Sequence, residues 1–435
     1  MFRSYFPLGF ATLVCAGLSG CREQAPVAYE PNIVHAMKYE IQEGFSMDQA
    51  SEDANWVVTE MFGTPNEPKI PSLSVEGDTP ADIGLVSIDR LIRASGAPDE
   101  EGRGLYRKHC SLCHGLTGNG RGTTAAILNP YPRDYRMGIF KFKSTPLGAK
   151  PAREDLARAI RNGIAGTAMN KIAELSEEDV QALTDYVIFL SWRGELERSL
   201  IDDAIYDLDI EAGERIINSE LANSSSEEDK ETFDEQWGYA VDTASSIADS
   251  WLEAEEETIE VPDPPADLPV AGSYKEYTEM LQGEQAEAMK SSVEKGQAFF
   301  VGKIASCSKC HGEKGLGNGQ TTDYDDWTKD WTSRIGLKPE ERDTLVPLLA
   351  RGALPPINAI PRNFAEGIFH GGSESEDLYR RITQGIDGTP MPAATFVDGE
   401  FEEADVWHLI NFIRSLQTTD HDTSTDPEIT EAVNP

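Results

Sequence analysis

Basic residues, long apolar runs and cysteines free to form disulfides are all scarce in this 435-residue chain. There are 38 lysines and arginines against 76 aspartates and glutamates, so the formal net charge is -38 and the pI is near 4.5. This excess excludes a general affinity for nucleic acid or bare anionic lipid, because the phosphates would be repelled. Two interpretations stay open: the acidity serves a protein partner with a basic docking face, or it only keeps the protein soluble.

The apolar run near the N-terminus, residues 5–14, is well under the roughly 20 residues that a spanning helix needs. It follows Arg3 and leads into Leu-Ser-Gly-Cys at 18–21, so we predict a cleaved export signal over 1–20. The ending resembles a bacterial lipobox, in which Cys21 becomes the acylated first residue. The alternative is an ordinary signal that leaves Cys21 as a free thiol. Acylation predicts a protein anchored by lipid on the periplasmic or cell-surface side of a bacterial membrane.

Apart from Cys15 in the signal and Cys21 directly after it, the chain has four cysteines, and they form two pairs, each followed at once by a histidine. The two motifs are Cys110-Ser-Leu-Cys113-His114 and Cys307-Ser-Lys-Cys310-His311. Cysteines at this spacing can bind covalently to one edge of a haem, with the histidine beneath the iron as proximal ligand. A zinc site would need two ligand pairs folded together, and a redox pair would be expected near a βαβ pattern. We therefore predict two covalent haem c groups, and no cysteine is left for a disulfide.

An internal repeat surrounds the two motifs, as a chain long enough for two or three compact units allows. The matching segments are Pro132-Arg-Asp-Tyr-Arg-Met-Gly-Ile-Phe with Pro361-Arg-Asn-Phe-Ala-Glu-Gly-Ile-Phe, and Gly163-Ile-Ala-Gly-Thr-Ala-Met169 with Gly385-Ile-Asp-Gly-Thr-Pro-Met391. A methionine is more often core filler than a ligand. Here Met169 and Met391 occupy equivalent places in both copies, and a thioether suits the sixth position of a haem iron. We predict that both are axial ligands.

Each copy also ends in an amphipathic helix opened by acidic residues, after Ser176 and Glu402. A helix precedes each motif, with Gly102 in the first copy and Gly296 in the second placed for close helix crossing. Both copies resemble class I cytochrome c domains, at 100–195 and 290–418. The resemblance implies an all-α fold with two tandem helical domains.

In that family, the carbonyl of a proline after the haem loop accepts a hydrogen bond from the proximal histidine. The matching prolines here are Pro132 and Pro361, whose plainer interpretation is a loop breaker. The arginines that follow them, Arg133 and Arg362, are candidates for pairing with haem propionates. Their plainer interpretation is ordinary solvation.

The remaining segments are predicted from composition. Residues 21–99 contain proline-rich stretches around a helix at Met47–Met61, which suggests a tether. Residues 196–289 are strongly acidic but contain tryptophans, so we expect a mostly helical spacer that packs partly on the haem domains. Residues 419–435 are expected to be a disordered acidic tail.

The second copy contains an insertion, predicted at 320–358. There are 51 residues from Cys310 to Pro361 against 19 from Cys113 to Pro132. The insertion carries two tryptophans, and it either covers the haem edge or forms a partner surface.

Two six-coordinate haems predict an electron carrier more than an enzyme, because neither iron would have an open site. Expected partners are a quinol-oxidising complex, a terminal oxidase or a soluble cytochrome. The alternatives are a dihaem peroxidase or donor-oxidising dehydrogenase subunit, and a haem-bearing sensor or scaffold. Five further histidines are possible alternative ligands: His35, His109, His370, His408 and His421.

Overall fold

The computed structural model describes residues 27–75, 79–81, 83–98 and 101–419. The predicted signal, the predicted acylation site Cys21 and the tail from residue 420 lie outside this part. The helices before the second domain are α1 Ile33–Glu43, α2 Asp48–Phe62, α3 Ile88–Ala94, α4 Leu105–His109, α5 Ser111–His114, α6 Arg153–Asn162, α7 Glu177–Asp207, α8 Glu227–Glu253 and α9 Tyr274–Met280. Those that follow are α10 Ala286–Val301, α11 Ser308–His311, α12 Asp326–Asp330, α13 Arg342–Ala350, α14 Ser375–Gln384 and α15 Val406–Ser415.

The all-α expectation is confirmed. Six short 3-10 turns accompany the helices: Ala125–Ile127, Tyr135–Met137, Ser219–Asn223, Ser333–Ile335, Phe364–Glu366 and Glu403–Asp405. Within the described ranges the only strands are β1 Leu73–Val75 and β2 Thr79–Ala81, an antiparallel pair with Leu73 opposite Ala81. None of the helices described combines the length and apolar character that crossing a bilayer requires.

Helix α7 begins where the sequence predicts but runs past the predicted domain boundary at 195. The Ser176 hydroxyl accepts from the backbone N–H of Asp179, whose carboxylate in turn accepts from the Ser176 N–H. The helix then continues for 31 residues. Its buried face extends through Leu196 and Leu200 to Ala204, so packing carries it beyond the haem domain. The first part of the predicted spacer is therefore the second half of α7.

The N-terminal segment is part of the first domain's core, so the tether interpretation was wrong for its described residues. Helix α2 lies where a helix was predicted, and Phe62 at its end contacts Phe189 and Trp192 of α7, with ring centroids 5.4 and 5.1 Å apart. Helix α3 packs on α7 as well. The physical reason is that α4 has only 5 residues and cannot cover the apolar face of α7.

The predicted close helix crossing occurs in the second copy only. A Cβ at Gly296 of α10 would overlap the carbonyl oxygen of His408 in α15. Gly102, by contrast, precedes α4, has φ +74° and has no neighbour within 4 Å of a built Cβ, so the crossing predicted there was wrong. An aromatic contact between the corresponding helices is nevertheless present in both copies, with ring centroids 4.9 Å apart for Tyr106 and Tyr186 and 5.1 Å apart for Phe300 and Phe412.

The acidic spacer forms α8, which packs on α7 along one face. Trp192 Nε1 donates to the carbonyl of Ala244 at 2.8 Å, and Ala248 and Trp251 are buried beside it. Its acidic residues lie largely on the exposed side. This agrees with a helical spacer packed partly on a haem domain.

The insertion of the second copy docks on α1 and α7. Trp331, Leu345 and Leu348 bury their side chains with Val34 of α1 in one apolar cluster. Next to that cluster, Asp330 forms ion pairs with two basic residues from different elements. They are Lys38 of α1, at 3.1 Å, and Arg198 of α7, at 3.2 Å. The insertion thus joins the second haem domain to the N-terminal part of the chain.

Candidate haem-binding site

The two Cys-x-x-Cys-His motifs form matching single-turn helices, α5 and α11. The four cysteines of these motifs all carry free thiols and are partly buried. Each helix ends at a glycine in the left-handed region, Gly115 with φ +72° and Gly312 with φ +75°. A Cβ at either position would overlap the side-chain oxygen of an asparagine, Asn119 or Asn318. Both motifs therefore end with the same glycine–asparagine contact, and the asparagines are residues beside the motifs that the sequence did not predict.

Both motif histidines are held by one ring nitrogen. His114 Nδ1 lies 3.1 Å from the carbonyl oxygen of Arg133, and His311 Nδ1 lies 3.3 Å from that of Arg362. Burial lowers the pKa of His114 to about 4 and also lowers the pKa of His311. Both rings are therefore neutral near pH 7, with Nδ1 donating to the carbonyl. The lone pair is then on Nε2, the nitrogen that iron would bind.

An aromatic ring stacks on each of these histidines. Tyr135 lies 4.8 Å from His114 at an interplanar angle of 17°, and Phe364 lies 4.6 Å from His311 at 19°. Both aromatic residues are buried. They fix the plane of the imidazole and keep water from its face.

The carbonyl that orients each histidine is one residue later than predicted. Pro132 and Pro361 were expected to supply it, but their carbonyl oxygens lie against Gly120 and Gly317. A Cβ at Gly120 would be 2.7 Å from the Pro132 oxygen, and one at Gly317 would overlap that of Pro361. Successive carbonyls point in different directions in this extended loop, so the arginine carbonyl faces the ring. The hydrogen bond is present, and the proline assignment was wrong.

The arginine side chains have well-defined neighbours within the protein. The Arg133 guanidinium lies 3.3 Å from the ring centroid of Trp327, and Arg362 Nη1 lies 2.9 Å from His370 Nε2. Burial lowers the pKa of Arg133 to about 10. Propionate pairing by Arg133 and Arg362 stays a prediction.

The two candidate methionines lie on loops of the same shape. The carbonyls of Met169 and Met391 accept from the N–H of Ile164 and Ile386 at 2.7 and 3.0 Å. Their own N–H groups donate to a threonine hydroxyl two residues earlier, at 3.1 and 3.2 Å. Both side chains are partly exposed. The repeated Gly-Thr-x-Met pattern thus encodes one loop geometry, and axial ligation by the methionines stays a prediction.

Three of the other four histidines in the described residues, His35, His370 and His408, have polar neighbours of their own. His35 is buried with Nε2 2.6 Å from Asp202, and His408 Nδ1 lies 2.8 Å from the Ser292 hydroxyl. His370 is paired with an arginine, as described above. His421 lies outside the described residues.

The donor set fits a haem better than a bare metal ion. No three His, Cys, Asp or Glu side chains in the described ranges converge as a metal cage requires, which argues against the zinc alternative. A neutral imidazole nitrogen with two free thiols beside it matches the attachment site of a c-type haem. In each domain, the cysteines would hold the macrocycle, the histidine would bind iron, and the methionine is the candidate for the sixth position.

Comparison with known families agrees with this reading of the two sites. Residues 97–187 match the family model described as cytochrome c oxidase, cbb3-type, subunit III, and residues 293–417 match the model described as cytochrome c. The chain therefore carries two cytochrome c-type domains, one around each motif. It is a haem c-binding protein of the electron-transfer type.

Comparison with whole proteins adds little. No curated protein matches the chain. Among solved structures, it is similar to a chain of the reducing HAO-like protein complex of Kuenenia stuttgartiensis, with 20% identity and a TM-score of 0.44. That alignment covers 78% of this chain and 100% of the other. A likeness at this level carries no functional argument.

Proposed function

We propose that this chain is a dihaem electron carrier with one haem c in each domain. The observation that carries the proposal is that both domains present the same set of candidate haem ligands in the same local geometry. Both domains combine a neutral histidine, bonded through Nδ1 to a backbone carbonyl, with a methionine at the same point of the same loop. When bound, each haem supplies a one-electron ferric/ferrous couple, and a thioether ligand favours the ferrous state.

The protein's own residues orient the two proximal histidines and shield their rings from water. The carbonyls of Arg133 and Arg362 fix the imidazole planes and raise the basicity of Nε2. Tyr135 and Phe364 cover the ring faces. His114 with Met169 and His311 with Met391 would hold the two irons, which would leave no open position for substrate and favours electron transfer over peroxidase chemistry.

Location and partners belong to the same proposal. The lipobox at Cys21 supports anchoring on the outer side of a bacterial membrane, with a quinol-oxidising complex, terminal oxidase or soluble cytochrome as redox partner. The oxidase-subunit description of the model that the first domain matches supports such a partner. The net charge of -38 favours a basic docking face on it.

The ligand assignment is tested with Met169→Ala and Met391→Ala made singly in protein matured with haem c. The wild type should contain two haems per chain and show the weak red absorption band of sulfur–iron ligation in its ferric form. Each variant should keep both haems and lose about half of that band, with a lower potential at one haem. Met280→Ala, on α9 and outside both loops, is the control.

Two outcomes would contradict the proposal. An undiminished band in both variants would exclude methionine ligation, and rapid cyanide binding by the wild type at neutral pH would favour the enzyme alternative. Haem content is measured separately from the band, so loss of haem is distinguished from loss of a ligand.

A further inference from the structure

The ring of Trp327, in the insertion of the second domain, lies between the candidate ligand loops of both domains. One face meets the Arg133 guanidinium, 3.3 Å from the ring centroid. The indole Nε1 donates to the carbonyl of Asp134 at 3.3 Å. Arg133 is the residue whose carbonyl holds His114. The tryptophan therefore contacts the segment that orients the first proximal histidine.

The far edge of the same ring meets the distal loop of the second domain. Gly388 lies there, three residues before Met391, with φ +68°. Any Cβ at Gly388 would overlap Trp327 Cζ3, so this close approach needs a glycine. The backbone adds a bond from the N–H of Asp326 to the Gly388 carbonyl, 3.1 Å long.

A reciprocal contact joins the other pair of loops. Arg362, whose carbonyl holds His311, places Nη1 2.9 Å from His370 Nε2. A Cβ at Gly166 would be 3.2 Å from that same Nε2 and 2.7 Å from Ile368 Cγ2. Gly166 is three residues before Met169 and equivalent to Gly388 in the repeat. Each proximal segment thus faces the other domain's distal loop.

Two ion pairs, each with one largely buried partner, join the two domains in this arrangement. Lys143 Nζ lies 2.5 Å from Asp387, which immediately precedes Gly388. Arg158 of the first domain pairs with the buried Asp377 of the second at 2.7 Å. The side chains of Lys143 and Asp377 are each 6% exposed. Such pairs need fixed geometry to offset desolvation, which favours one defined docking of the domains.

We propose that Trp327 and His370 are positioning residues that lock each proximal loop against the other domain's distal loop, so that the two haem sites exchange electrons within the chain. This rests on the proposed function. In this exchange the haems, when bound, would supply the donor and the acceptor of one electron, ferrous and ferric, with no bond broken and no proton moved. Tunnelling between sites weakens steeply with distance, so bonded and closely packed contacts set its rate.

The asymmetry of the two contacts favours a specific role for Trp327. His370 belongs to the repeated part of the domain, whereas Trp327 belongs to the insertion that the first copy lacks. Its ring has Arg133 over one face and Gly388 at one edge. Two such specific contacts indicate a positioning role rather than simple space filling.

The experiment uses full-length protein with both haems and a Met169→His background, which gives the first haem a distinct spectrum and a lower potential. Pulse radiolysis delivers less than one electron per chain to fully oxidised protein, so that in part of the molecules the first haem is reduced while the second is still ferric, and the subsequent flow of electrons from the first to the second is followed optically. Trp327→Leu should slow this relaxation several-fold and Trp327→Phe should restore much of it. The control is Trp237→Leu, a partly exposed tryptophan on α8 that stacks on Phe233.

Small-angle scattering shows whether the domains stay docked in each variant. Slower relaxation in Trp327→Leu supports the proposal whether the domains stay docked or separate. In both cases the tryptophan would be needed for the packing of the first domain's proximal loop against the second domain's distal loop. Equal relaxation in Trp327→Leu and Trp237→Leu would overturn it. Failure of the electron-carrier assignment is distinguishable, because it would show beforehand as missing haem or missing sulfur–iron absorption in the wild type.

Discussion

The crossing of α10 and α15 gives the most exacting test of the fold, through Gly296→Ala. Two effects of opposite sign compete at this position. Replacing a glycine inside a helix by alanine normally stabilises a protein by about 0.5–1 kcal/mol, because the unfolded chain loses freedom. Here, however, the new methyl group would overlap the His408 carbonyl oxygen and lie 2.9 Å from Phe412 Cβ.

The steric cost decides the sign. Helix α15 must move away as a backbone unit, and overpacking a tight core costs about 1–3 kcal/mol. Taking about 3 kcal/mol for a clash with main chain and subtracting about 1 for helix propensity leaves a net destabilisation of about 2 kcal/mol. That corresponds to roughly a thirtyfold change in the folded-to-unfolded ratio of the second domain.

The matched control is Gly238→Ala on α8. Gly238 is also inside a helix, but a built Cβ there has no neighbour within 4 Å. This variant should be more stable than the wild type by about 0.5–1 kcal/mol. Denaturant unfolding of the haem-loaded protein, followed by circular dichroism and haem absorption, compares the two. If Gly296→Ala were as stable as Gly238→Ala, the close crossing would be refuted.

Three further predictions concern pH, the insertion and the anchor. Burial and nearby cations lower the pKa of His35 from 6.5 to about 4, so between these values the unfolded chain binds the proton more readily. Acidification from pH 6.5 to 4 should lower the free energy of unfolding by roughly 3 kcal/mol. In His35→Gln the free energy of unfolding should depend less steeply on pH, by the slope that corresponds to about one proton. Asp330→Asn leaves two largely buried cations unpaired and should destabilise the insertion by about 3 kcal/mol in chemical denaturation, whereas Glu341→Gln at an exposed pair should change little. Cys21→Ser should move the protein from the membrane fraction to the soluble fraction; unchanged fractionation would argue against a lipid anchor.

Local sequence patterns predicted the two cytochrome c-type domains, because the motif that marks each domain consists of residues close together in the chain. Two cysteines and a histidine within one helical turn are sufficient to identify a c-type haem attachment site. The two Gly-Thr-x-Met loops share one backbone geometry, because their hydrogen bonds span only a few residues, and ligation by their methionines stays a prediction. Repetition supported both interpretations. The carbonyl that holds each histidine was misassigned by one residue, because carbonyl direction depends on loop geometry.

Composition was a poorer guide to the segments outside the domains. The proline-rich N-terminal segment was interpreted as a tether, yet its Phe62 lies in the core against α7. The deciding fact is that α4 is short, which leaves an apolar face on α7 for α2 and α3 to cover. The sequence did not predict where α4 begins, so it did not show how short this helix is. The wrong prediction for Gly102 has the same cause, because this glycine lies before α4 and not at a helix crossing.

The sequence by itself therefore determined the cofactor class and the duplication of the domain, since both depend on short motifs, and the attachment residues stay a prediction. Only the tertiary structure decided which carbonyls orient the histidines and how the two domains meet. The contact of Trp327 with Arg133 and Gly388 joins segments from both domains. No periodicity or spacing predicts such a contact, because it depends on how two folded surfaces fit together.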